Sequence, residues 1–63
     1  MCESHAYLAE GEESRLIMED VVDIREEDGT LYLSNIVGES MTLRADISEI
    51  SFFQHRILLT PRD

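Results

Sequence analysis

The sequence predicts an all-β protein, a small compact barrel-like or rolled antiparallel sheet of about five to seven short strands, SH3/Sm-like in size. Three observations predict this fold. One segment alternates strictly between apolar and polar residues, turn signals recur about every ten residues, and the 63 residues suffice for one domain, residues 1–63.

The clearest alternation runs from Ser40 to Ile47. A period of two is typical of a half-buried strand whose apolar side chains face the core. The predicted inward side chains of this strand are Met41, Leu43, Ala45 and Ile47.

The amino-terminal segment repeats the pattern more weakly. Its small and apolar residues fall on one face, which we expect to be the inner one, and its larger polar residues fall on the other. The expected inner face comprises Cys2, Ser4, Ala6 and Leu8, and the expected outer face comprises Glu3, His5, Tyr7 and Ala9.

Turn signals separate the remaining runs. Asp28-Gly29 lies between two apolar runs and is a strong hairpin signal. The segments Glu10–Glu13 and Gly38-Glu39 separate further runs, and Pro61 ends the last one because proline cannot donate to a sheet ladder.

Two segments leave alternatives open. Leu16, Ile17, Val21 and Ile24 could line one face of a helix, although the β-branched pair Val21-Val22 favours strands. The segment from Asp46 to Ser51 could hold one helical turn.

The charge and the small size limit the classes of partner. Fourteen acidic residues face five arginines and no lysine, giving a net charge of -9, which repels nucleic acid and anionic membranes. A chain this short usually needs disulfides, a metal or a partner subunit, and the single cysteine excludes an internal disulfide. The sequence lacks a secretory signal and a membrane-spanning run, so we expect a cytoplasmic protein.

No catalytic constellation stands out. The three glycines stand alone at turns instead of forming a phosphate loop, and no pair of acidic residues has a spacing that indicates acid–base chemistry. A nucleophilic cysteine would need His5 or His55 as its base, and a lone pairing of these residue types is not specific. We therefore predict that the protein is not an enzyme.

Cys2 is the residue that points to chemistry. With Met1 retained, the Met1 amine, the Cys2 backbone nitrogen and the Cys2 thiolate follow one another and can close two five-membered chelate rings around a metal. Such a planar set suits nickel(II) or copper(II). With Met1 removed, Cys2 supplies its own amine and thiolate. In either case one chain provides fewer than four ligands. Two chains meeting at their N-termini could complete a square-planar coordination. The alternative is a small apolar side chain packed in the first strand.

The two histidines are weaker candidates. His5 is a possible fourth metal ligand, but in a regular first strand it points away from Cys2 and could bind only if the terminus frays. His55 precedes the last apolar run, and we predict a turn or interface residue there in preference to a ligand.

Several segments, spread over almost the whole chain, resemble the CooT family of small nickel-binding proteins. They are Met1-Cys2-Glu3, Ala6-Tyr7-Leu8, Ile17–Val21, Leu33–Glu39, Ile47–Ile50 and His55–Leu59.

The resemblance implies a compact β protein that forms a homodimer and binds nickel(II) through Cys2. It also implies an accessory or metallochaperone role in nickel delivery to carbon monoxide dehydrogenase, with that enzyme or its maturation proteins as partners. Members of the family have also been labelled RNA-binding proteins of small-barrel type.

Two other functions compete with nickel binding. A single-strand RNA-binding module would combine a basic groove with stacking aromatics, but the four aromatics here have no basic cluster beside them. In a structural dimerisation domain, Cys2 would have no functional role.

Overall fold

Five strands follow one another along the chain and close into a barrel in the computed structural model, which describes residues 4–62. Each strand pairs antiparallel with the next, and β1 and β5 close the ring by pairing in parallel. The predicted all-β fold is confirmed, with five strands. The strands are β1 (Ser4–Glu10), β2 (Glu13–Glu27), β3 (Thr30–Asn35), β4 (Ser40–Ser51) and β5 (Arg56–Pro61).

Two long strands, β2 and β4, allow a sheet of only five strands to close into a barrel. The first half of β2 pairs with β1 and its second half pairs with β3. Likewise, β4 pairs first with β3 and then with β5. Register shifts lie at the changeover in β2, between Val21 and Asp23, and in the second half of β4, between Ile47 and Glu49. Such irregularities bend a strand and increase its twist, which a small closed barrel requires.

The two helical alternatives are wrong. Residues 13–27 form one strand, in which Met18 and Val21 are buried and Leu16 is exposed. Residues 46–51 continue β4, because their backbone groups pair with β5 as far as Ser51. Closing the barrel satisfies those backbone groups better than a single helical turn, which would leave most of them unpaired.

The core is small and lies inside the ring. The two strand-interior leucines of β3, Leu31 and Leu33, are buried together with Leu59 of β5, and these are its largest fully buried side chains. Burying each contributes roughly 1.5–3 kcal/mol. The buried apolar residues are Ala6, Met18, Val21, Leu31, Leu33, Ala45, Ile57 and Leu59.

The predicted inner faces are largely confirmed. Ala6 is fully buried and Leu8 packs against the core, as expected for β1. On β4, Ala45 is buried while Met41 and Leu43 pack against the core. Ile47 is the exception: it is 41% exposed, since it adjoins the register shift that disturbs the alternation.

The Asp28-Gly29 hairpin is also confirmed. Both residues have positive φ, 53° and 80°, as in the two-residue type I′ turn. A Cβ on Gly29 would meet the Arg62 guanidinium, which lies across the turn. The positive φ favours glycine at this position, whereas a Cβ would require only the flexible end of the Arg62 side chain to move.

Candidate metal site at the start of strand β1

The predicted metal ligands lie in sequence at or just before the start of β1. Met1 and Cys2 lie outside the described residues, and Ser4 is the first residue of the strand. His5, the third candidate, is half-buried in β1.

Two hydrogen bonds fix His5. Its backbone N–H donates to the carbonyl oxygen of His55 at 2.9 Å. Its imidazole Nδ1 accepts from the backbone N–H of Asp20 at 3.2 Å. The start of β1 is thereby tied to the middle of β2 and to the turn between β4 and β5.

The imidazole bond determines what His5 can offer a metal. In a neutral imidazole one nitrogen carries the proton and the other has the free lone pair. Since Nδ1 uses its lone pair on Asp20, the proton is on Nε2, and neither nitrogen is left to coordinate. His5 could become a ligand only by releasing the Asp20 N–H. In the described geometry it acts as an anchor for the strand.

Backbone strain is concentrated around this anchor. Asp20 and His55 have φ values of 55° and 56°, a region that non-glycine residues rarely occupy, although Asp and His do so more often than most. Each is a hydrogen-bond partner of His5. Strain of this kind tends to persist at functional sites. Sequence reasoning did not identify Asp20 as a partner; the only signal was the acidic pair Glu19-Asp20 inside an apolar run.

The hydrogen bonds continue from Asp20 to the other neighbouring turn. The Asp20 carbonyl accepts from the backbone N–H of Ile36 at 3.0 Å. The path Ile36–Asp20–His5–His55 therefore joins the β3–β4 turn, residues 36–39, to the β4–β5 turn, residues 52–55, through the start of β1. Both turns flank the point at which the N-terminus enters the barrel.

Asn35 holds the β3–β4 turn with three hydrogen bonds to Glu39. This residue is only 8% exposed, and its side chain both donates to Glu39 Oε1 at 2.8 Å and accepts from the Glu39 backbone N–H at 2.9 Å. The Asn35 backbone N–H also donates to the Glu39 carbonyl at 3.0 Å. Both side-chain polar atoms of the sole buried polar residue among residues 4–62 thus have a hydrogen-bond partner, as is usual for a buried amide.

His55 lies in the β4–β5 turn, as predicted. Its carbonyl oxygen is the group that contacts β1.

The rest of the described chain offers no competing metal centre. Among residues 4–62, no three His, Cys, Asp or Glu side chains lie close enough together to hold a metal ion. A shallow groove of about 200 Å³ lies between β2, β3 and β4, beside Arg25, Tyr32 and Met41. It is smaller than ordinary small-molecule sites.

The arginines are largely engaged within the molecule. Arg15, Arg25 and Arg62 lie 3.3, 3.8 and 3.4 Å from Glu10, Asp23 and Asp46. The guanidinium of Arg56 lies over the Tyr7 ring at 4.8 Å from its centroid. With four of five arginines so placed and a net charge of -9, the surface is suited to cations and basic proteins.

These features define a small acidic β-barrel with a rigidly anchored N-terminal strand. A model of the family described as CO dehydrogenase accessory protein CooT matches residues 1–60. The fold also matches the crystal structure of a provisionally assigned CooT from Carboxydothermus hydrogenoformans, with a TM-score of 0.92, 32% identity, and coverage of 98% of this chain and 100% of that one. Comparison with curated proteins gave no match.

The chain therefore belongs to the CooT family, and the predicted resemblance is confirmed. The family is described as an accessory protein of CO dehydrogenase, so its role is to assist that enzyme. Within residues 4–62 no helix is long and apolar enough to cross a membrane.

Proposed function

We propose that this protein binds nickel(II) at its N-terminus and carries it as cargo for the maturation of carbon monoxide dehydrogenase. The observation that carries the proposal is the family match over residues 1–60, which includes the Met1-Cys2 start of a chain with a single cysteine.

The chemistry of the donor set supports nickel. The Met1 amine, the Cys2 backbone nitrogen and the Cys2 thiolate are nitrogen and sulfur donors in sequence, and nickel(II) accepts a planar set of this kind. The absence of a three-residue metal cluster in residues 4–62 is consistent with ligands at the N-terminus.

The count of donors supports a shared site. Each chain contributes two or three donors, which is fewer than the four that nickel(II) takes in a planar site, and two donors from each of two chains would complete it. We propose that two copies of the chain meet at their N-termini and hold one ion between them. The small core favours the same arrangement, because a domain of this size is marginal alone.

The anchoring of His5 supports a positioned site. Two hydrogen bonds hold the strand three residues after Cys2. A fixed start to β1 limits the positions that the N-terminus can sample, which lowers the entropic cost of closing chelate rings on a metal.

Replacing Cys2 tests this function. We expect Cys2→Ser to lose tight nickel binding in isothermal titration calorimetry, because a hydroxyl does not replace a thiolate as a soft donor. The far-ultraviolet circular dichroism should remain that of the parent, since the core lies inside the barrel. Nickel binding by Cys2→Ser that equals the parent's would place the ligands elsewhere.

A further inference from the structure

The turn between β4 and β5 exposes two adjacent aromatic rings. Phe52 is 79% exposed and Phe53 is 94% exposed. The side-chain oxygen of Ser51 accepts a hydrogen bond from the Gln54 backbone N–H at 3.2 Å, which stabilises the turn that carries them. We call the pair Phe52-Phe53 the aromatic tip.

The aromatic tip contributes nothing to the core of the barrel. The core cluster and the apolar residues packed against it include neither phenylalanine. Adjacent exposed aromatics are favourable anchors for protein partners, because each brings a large apolar area with few rotatable bonds.

The size of the aromatic tip argues against a stable interface built on it alone. Scaling the area of two phenylalanine side chains by their exposure gives roughly 350 Å², whereas a stable interface buries about 800 Å² per partner. Both rings are also largely exposed on a turn and form no groove. The tip therefore matches an anchor that enters a pocket during a transient encounter.

The charge of the chain indicates which residues would surround such a pocket on a partner. The chain carries a net charge of -9, and four of its five arginines already lie against an acidic side chain or an aromatic ring. The chain therefore presents an excess of negative charge to a partner. A basic surface would be attracted to it.

We propose that the aromatic tip docks into an apolar pocket rimmed by lysine or arginine on the client enzyme. The tip adjoins the N-terminus, because the His55 carbonyl in the same turn binds the His5 N–H at 2.9 Å. Docking there brings the start of β1 to the client's surface. The client is carbon monoxide dehydrogenase, as in the proposed function on which this inference rests. The docking itself does not depend on nickel binding at Cys2.

Binding to purified carbon monoxide dehydrogenase tests the aromatic tip. The enzyme from the source organism is immobilised, and four forms are compared by biolayer interferometry: parent, Phe52→Ser/Phe53→Ser, Ile36→Ser/Val37→Ser and Cys2→Ser. The second pair is a matched control, since Ile36 and Val37 are also exposed on a turn, at 53% and 74%.

We expect the aromatic-tip variant to bind at least tenfold more weakly and the Ile36/Val37 control and Cys2→Ser to bind like the parent. Parent binding should weaken as salt rises, because a charged rim is screened. No binding by the parent, equal losses in both turn variants, or undiminished binding by the aromatic-tip variant would overturn the proposal.

Sedimentation of the same variants excludes the competing occupant. We expect Phe52→Ser/Phe53→Ser to keep the parent's oligomeric state. Conversion to a smaller species would mean that the tip contacts a second copy, and the client-docking proposal would be wrong. Because nickel binding by Cys2→Ser is measured separately by calorimetry, failure of the nickel function is distinguishable from failure of the tip.

Discussion

The imidazole Nδ1 of His5 accepts a hydrogen bond from the backbone N–H of Asp20 at 3.2 Å, across 15 positions of sequence. In the described geometry this bond makes His5, which the sequence also offered as a metal ligand, an anchor for the first strand. It also ties the strand to a residue of β2 with a positive φ of 55°. The region preceding the anchor carries the proposed metal donors.

We expect His5→Ala to weaken nickel binding about fivefold without shifting the thiolate-to-nickel absorption bands. The loss of one hydrogen bond costs about 1 kcal/mol. Without that bond the start of β1 must be fixed when the metal binds, and this cost is subtracted from the free energy of binding. His5→Asn is the matched control, because its Oδ1 occupies nearly the position of Nδ1 and can accept from Asp20. Ultraviolet-visible titration of both variants provides the measurement.

The band positions decide between the two roles of His5. Unshifted bands with a weaker constant in His5→Ala, restored in His5→Asn, agree with an anchor. A shift of the bands in both variants would make His5 a ligand. An unchanged constant in His5→Ala would remove any contribution of the anchor to the site.

The exchange of hydrogen bonds between Asn35 and Glu39 leads to a second prediction. Asn35→Asp keeps the acceptor for the Glu39 N–H, but replaces the donor with a carboxylate oxygen facing Glu39 Oε1. We expect the free energy of unfolding at pH 7 to fall by about 2–3 kcal/mol, measured by urea denaturation.

The double variant Asn35→Asp/Glu39→Gln is the control for this repulsion. The amide introduced at position 39 can donate to the new carboxylate, so we expect most of the lost stability to return. A double variant no more stable than Asn35→Asp would mean that repulsion is not the cause of the loss.

Local patterns in the sequence predicted most of the fold. The Asp28-Gly29 turn and the buried face of β1 are decided within a few residues, and both are confirmed. The end of β4 was not predictable in this way. Residues 46–51 form a strand because β5 lies beside them, and a short window of sequence contains no information about that partner.

The candidate site was predictable only in part. Met1 and Cys2 stand out because their donors are adjacent in sequence, so no fold is needed to bring them together. The Asp20–His5 bond joins distant segments, and it depends on a positive φ in the middle of β2. Alternation predicts side-chain faces and contains no signal for such an interruption. The exposure of Phe52 and Phe53 was likewise not apparent, because aromatic residues are more often buried.

The proposed shared site predicts that the protein is a dimer before metal is added. A core of eight buried apolar residues in the described chain is small, and burial of a common apolar surface should contribute more than one bridging ion. Sedimentation velocity at micromolar concentration in the presence of a chelator measures this. A metal-free monomer would require that nickel itself assembles the pair.

Titration of the parent with nickel at pH 6, 7 and 8 tests the central claim most directly. An α-amine and a cysteine thiol have reference pKa values of about 8 and 8.5, and both groups must lose their protons to bind. We predict one nickel ion per two chains and an affinity that rises steeply from pH 6 to pH 8. One ion per chain with an affinity flat above pH 7 would contradict the shared N-terminal site, and would direct the search to histidine or carboxylate ligands.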